Sequence, residues 1–125
     1  MGGATRLAVS TVLAALVVVA VAPAAQPKTR AVKAGGNFPL YTWEPSAIHL
    51  AVGDRIVWKN PTDSEHHVAP YKGKWNETLH VDVGGTASFR FRRPGTYLYR
   101  CDLDFHSYFV GDRCFGQCGR VVVHK

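Results

Sequence analysis

The sequence predicts an all-β fold, a single Greek-key β-sandwich that follows an N-terminal export leader. Between Val32 and Val123 no long helical pattern occurs. The chain offers short segments of period two, broken at close intervals by Pro, Gly, Asn and Asp. With the leader set aside, about one hundred residues remain, enough for one hydrophobic core and too few for two. Neither repeats nor low-complexity tracts appear outside the leader.

The leader comes first in chain order. Arg6 precedes the apolar stretch Leu7 to Val21, and Ala22-Pro23-Ala24 supplies the small residues of a cleavage site. A retained membrane anchor is the competing reading, but the stretch is shorter than the ~20 residues a spanning helix needs, and Pro23 ends it. Residues 1–24 are therefore expected to be a signal peptide. Residues 25–125 are expected to be the mature domain, secreted or periplasmic, with no transmembrane segment and no cysteine placed for a lipid anchor.

In the mature part, Ile48, Leu50 and Val52 alternate with His49 and Ala51; Gly53-Asp54 turns the chain and Arg55 to Lys59 resumes as the next strand. After a turn from Asn60 to Ser64, the stretch with His66, His67 and Val68 is expected to return as a strand. Phe89 and Phe91 alternate with Ser88, Arg90 and Arg92, giving one buried and one charged face, and Pro94-Gly95 leads into Thr96 to Cys101. Arg120 to His124 is a Val-rich closing strand, while Tyr71 to Glu77 and Asp102 to Gly119 read as loops. Strands so spaced suggest the Greek-key sandwich. Trp43, Trp58, Phe89 and Phe91 read as core. His49, His80 and His124 lack a partner pattern and read as surface residues, and Asn76-Glu77-Thr78 fits a glycosylation sequon.

Lys and Arg number 15 against 9 Asp and Glu, a formal net charge of +6. The cluster Arg90, Arg92, Arg93 and Arg100 fits either a solvated strand face or an acidic partner; nucleic acid is not an expected partner of an exported protein. Three cysteines make an odd number, so at least one stays outside any internal disulfide. That one pairs between chains, remains a reactive thiol, or is held by a metal as thiolate.

Cys101 ends a strand whose alternation sets it on the side of Tyr97 and Tyr99, and His106 follows five residues later in the long loop that runs to Gly119. Long loops on rigid β scaffolds tend to carry function. A thiolate and an imidazole from one loop, with a second imidazole from His66 or His67, make a soft, mostly trigonal donor set that suits copper; zinc accepts the same donors.

Over nearly all of the mature chain these segments resemble the cupredoxin family, in its plastocyanin-like form. Leu50 to Asn60 is similar to the family's approach to the first copper histidine, His66-His67-Val68 to its His-x-Val signature, and Gly95-Thr96-Tyr97-Leu98-Tyr99-Arg100-Cys101 to the strand that delivers the copper thiolate. His106 then matches the second imidazole and Gly119 to Val123 the closing strand. The resemblance implies one type 1 copper ion held by His66, Cys101 and His106, in a monomeric, non-enzymatic carrier of single electrons between unidentified redox proteins. Copper delivery or storage is the alternative function for the same ligands; an enzyme with an open copper position, and an exported sandwich that has lost its metal and only binds partners, are the further readings.

The departures sharpen the picture. Met1 is the only methionine, so no thioether is available for an axial position; Gln117 stands at that place, as glutamine does in stellacyanin-like members. The loop is longer than in most members and holds the extra pair Cys114 and Cys118, expected to bond each other; the rival is a bond from one of them to Cys101, with no metal site. Adjacent strand residues point to opposite sides, so only one of His66 and His67 can reach the ion. The His-x-Val match selects His66. The position after that ligand is usually an asparagine that ties the two ligand loops together, and here it is His67.

Overall fold

The computed structural model describes residues 2–20 and 26–125. Residues 2–20 are exposed and form neither helix nor strand, and residues 21–24, with the expected cleavage pattern, lie outside the described residues. No helix among the described residues is long and apolar enough to cross a membrane. The rest is all-β: β1 (Thr29–Asn37), β2 (Leu40–Glu44), β3 (Ala47–Ala51), β4 (Arg55–Lys59), β5 (His66–Lys72), β6 (Leu79–Val81), β7 (Thr86–Arg90), β8 (Gly95–Arg100), β9 (Ser107–Val110), β10 (Arg113–Gly116) and β11 (Cys118–His124).

Strict alternation builds the two layers. In β3, Ile48 and Leu50 are buried between exposed neighbours; in β4, Ile56 and Trp58 point inward; in β11, Gly119, Val121 and Val123 do. A four-stranded sheet in the order β2-β1-β4-β7 faces a five-stranded sheet in the order β3-β11-β8-β5-β6. Between them lies one core that includes Val32, Trp43, Trp58, Val68, Val81, Phe91, Tyr97, Tyr99 and Val121. Trp75, in the segment before β6, closes one side of it and packs against Phe89, Phe91, Tyr97 and Tyr99 at centroid distances of 5.4–5.8 Å. At the turn after β3, the Asp54 carboxylate accepts the backbone N–H of Lys28 at 2.8 Å and of Ala51 at 3.0 Å, which holds it below the usual carboxylate range.

Several sequence expectations need correction. Val52 lies beyond β3 and is exposed, because the turn begins there. Tyr71 and Lys72 belong to β5, and Phe89 is only half-buried. The segment from Asp102 to Gly119 is largely a β-hairpin, with β9 paired antiparallel to β10. The arginine cluster is split as well. Arg92 and Arg93 precede the start of β8 and Arg90 donates to the Gly53 carbonyl at 2.9 Å, whereas Arg100 ends β8 beside Cys101 and donates to Ser107 Oγ. Only Arg100 stands at the end of the sandwich where the candidate site lies.

That end is set by strand direction. β4 leaves the sandwich toward Asn60, β5 enters it at His66, β8 leaves it at Cys101 and β11 enters it at Cys118. Four chain crossings therefore gather their side chains in one place.

Candidate metal centre

His66 opens β5 with its ring fully buried, next to the thiol of Cys101, which follows directly on β8 and is also fully buried. His106 is 6% exposed and is held in the loop by its N–H on the Leu103 carbonyl. The His66 and His106 rings face one another through Nδ1 at 3.2 Å; Cys101 Sγ lies 3.2 Å from His106 Nδ1 and 4.0 Å from His66 Nδ1. The point equidistant from these three atoms falls inside their triangle, about 2 Å from each, which is the length of a metal–imidazole bond, ~2.0–2.1 Å. A single ion fits the gap.

The tautomer of His66 follows from its surroundings. Thr62 Oγ1 lies 2.7 Å from Asn60 Oδ1 and 3.1 Å from the Ser64 carbonyl, both acceptors only, so its one proton goes to one of them. Toward His66 Nε2, 2.7 Å away, Thr62 must therefore accept. Nε2 carries the hydrogen, and Nδ1 presents a lone pair to Cys101 and His106. Asn60 fixes Thr62 in turn: it is buried, its Nδ2 donates to the Ser64 and Val81 carbonyls, and its Oδ1 also accepts the Thr62 N–H.

Electrostatics suit a metal that displaces protons. Burial, then the neighbouring His106, pushes His66 down to about 4, and burial lowers His106 as well, so both imidazoles are neutral at neutral pH. Burial pushes the Cys101 thiol up, opposed by the backbone N–H groups of His67 and Leu103. The His67 N–H lies 3.3 Å from Sγ, and the His67 ring donates through Nδ1 to Asp102 at 2.7 Å. His67 thus ties the two ligand-bearing segments by itself, with its backbone and side chain both in use.

Gln117 sits between β10 and β11, strapped on both sides. Its carbonyl accepts the Cys101 N–H at 2.9 Å and its N–H donates to the His106 carbonyl at 2.8 Å. The side chain is fully buried beside both imidazoles, with Nε2 on the Thr42 carbonyl at 3.4 Å and Oε1 without a hydrogen-bond partner among the described residues. A buried amide oxygen left without a donor is uncommon and wants a cation or a proton. Gly116 makes the strap possible, since at φ +90° a Cβ there would stand 2.6 Å from the His106 carbonyl oxygen. The Cys114–Cys118 disulfide closes around this segment and leaves Cys101 as the free cysteine. Sequence reasoning missed the walls of the pocket. Tyr41 packs on His66 and His106 at 4.8 and 4.6 Å and Trp43 on His66 at 5.8 Å, both from a strand that carries no motif.

No family model matches the chain. Solved structures do match it. A variant of amicyanin with glutamine in place of a methionine, in its Cu(I) form, is 25% identical, with 77% of this chain and 82% of that one covered and a TM-score of 0.58. A methionine-to-alanine variant of amicyanin in its Cu(I) form is 26% identical, over 66% and 73%, with a TM-score of 0.52. A reduced Cu(I) form of a proline-to-glycine variant, at 24% identity, spans 83% of this chain and 86% of that one with a TM-score of 0.58. Amicyanin is a cupredoxin, and the fold of this chain is cupredoxin-like. Within it, His66, Cys101 and His106 form a candidate type 1 copper site.

Proposed function

We propose that this chain is an exported, monomeric copper protein that carries single electrons between redox proteins. One ion is held by His66, Cys101 and His106, with Gln117 in the axial place. The observation that carries the reading is the convergence of two Nδ1 atoms and one Sγ on a buried point about 2 Å from all three, a donor set that matches copper in softness and geometry. Copper bound there supplies a one-electron couple. The protein's part is to hold the donors still: Thr62 and Asn60 fix the His66 ring, the straps from Gln117 fix Cys101 and His106, and the core holds the strand ends. Burial of all three donors supports an electron carrier over a delivery protein, which must release its ion to another chain. His106, slightly exposed where His66 and Cys101 are sealed, is the route by which an electron leaves. Residues 1–24 act as the export signal in this reading.

The visible spectrum of the mature domain loaded with cupric ion and kept oxidised tests it. An intense thiolate-to-copper band, lost in Cys101→Ser, is the expected result. A colourless preparation with copper at full occupancy overturns the assignment.

A further inference from the structure

A second group of metal-binding side chains lies outside the buried centre. β5 and β6 pair so that His67 stands directly opposite His80. Their neighbours in register, His66 opposite Val81 and Val68 next to them, turn into the core, so the two imidazoles share the outer face with ring centroids 4.2 Å apart. Directly opposed strand residues have Cβ atoms about 4.5–5.5 Å apart, a span that one ion can bridge. Glu65, the residue before β5, places a single carboxylate oxygen 3.0 Å from His67 Nε2 and 3.3 Å from His80 Nδ1. The three donor atoms all lie within 4.8 Å of one another.

The orientation of His67 adds to the case. The Asp102 carboxylate can only accept, so the Nδ1 of His67 donates to it at 2.7 Å. A ligating histidine usually gives its second ring N–H to a carboxylate or carbonyl in this way, which fixes the tautomer and raises the basicity of the other nitrogen. Nε2 is then aimed at a carboxylate oxygen 3.0 Å away, so that one ion could take both as donors. Two carboxylates match the charge of a divalent ion. Two imidazole nitrogens select a transition metal over calcium or magnesium.

We propose that Glu65, His67 and His80 form a second, surface metal site, of the two-histidine, one-carboxylate type, for zinc or a cupric ion. Asp102 orients His67 within it. Side-chain exposures of 46% for Glu65, 15% for His67 and 63% for His80 leave the ion's outer side to water. Three protein donors leave at least one position open there.

Calorimetric titration of zinc into the full chain carrying one copper per chain, bound at the buried centre, tests the site, with His80→Ala and Glu65→Gln as variants. Both positions are exposed and outside the buried centre, so thermal unfolding of the metal-free variants should match the parent. The expected result is one zinc ion per chain beyond the buried site, lost or weakened at least tenfold in each variant; loss of an outer-sphere partner alone weakens metal binding about 10–100-fold. The assignment is overturned if no such zinc binds, a proton alone then holding the cluster, or if both variants keep the parent's stoichiometry and affinity. The difference between parent and His80→Ala does not depend on what fills the buried donors, so this outcome is separable from that of the spectral test.

Discussion

Thr62 touches no ion in the proposed centre, yet the hydrogen bonds around it decide which nitrogen of His66 is bare. Thr62→Val keeps the side chain's shape and removes its oxygen. Asn60 Oδ1 retains the backbone N–H at position 62, so the turn keeps one of the two bonds that it makes there. His66 Nε2–H loses the acceptor it has among the described residues, in a fully buried place, and a buried donor left alone costs about 1–3 kcal/mol. The ring is then free to turn or to exchange tautomers, which should weaken metal binding about 10–100-fold, or roughly 1.4–2.8 kcal/mol at ~1.4 kcal/mol per tenfold. Competition titration of cupric ion against a chelator of known affinity measures this directly. Thr62→Ser keeps the hydroxyl and should bind close to the parent. If Thr62→Val holds copper as tightly as the parent, the account of how His66 is oriented is wrong.

Three further outcomes follow from the same geometry. Gln117→Met replaces a hard oxygen donor that favours the cupric state with a softer thioether, so the reduction potential should rise; voltammetry that finds it unchanged or lower removes Gln117 from the axial place. Copper binding at neutral pH should release a single proton, from Cys101, because both imidazoles are already neutral and only the thiol is protonated; more protons released in unbuffered titration would mean that a histidine is charged in the metal-free protein. In that metal-free protein His66 titrates near 4 instead of 6.5. The unfolded chain thus binds a proton that the folded one refuses as pH falls from 6.5 toward 4, and stability should decline through this window and gain no further loss from this group below it. Melting curves flat across that range would contradict a neutral, buried His66.

Much of the architecture is legible in the sequence, because a two-layer β fold writes its periodicity into the chain. Ile48 and Leu50, Tyr97 and Tyr99, and Val121 and Val123 all turn inward as their alternation requires. The candidate site was legible for a related reason: Cys101, His106 and Gln117 are local to one loop, and the His66-His67-Val68 triplet supplied the remaining donor. Less legible was anything made by residues that share no segment. Tyr41 and Trp43 line the pocket from a strand without a motif, and Trp75 reads as a loop residue until the fold sets it on the core. The hairpin β9–β10 escaped notice because its faces do not alternate in polarity, Phe109 and Val110 both being exposed.

The histidines draw the line most clearly. By itself the sequence determined that the chain is an all-β sandwich, that one cysteine stays outside any internal disulfide, and which short segments could bring nitrogen and sulfur together. It gave His49 and His80 the appearance of isolated surface residues. Only the tertiary structure decided that His80 faces His67 across a ladder, that the His49 and His124 rings stack 5.1 Å apart, and that Thr62 turns the Nδ1 of His66 inward. The reason is physical: alternation along a strand fixes which face a side chain takes, but its neighbour on that face is set by the register between strands, and register is a property of the assembled sheet.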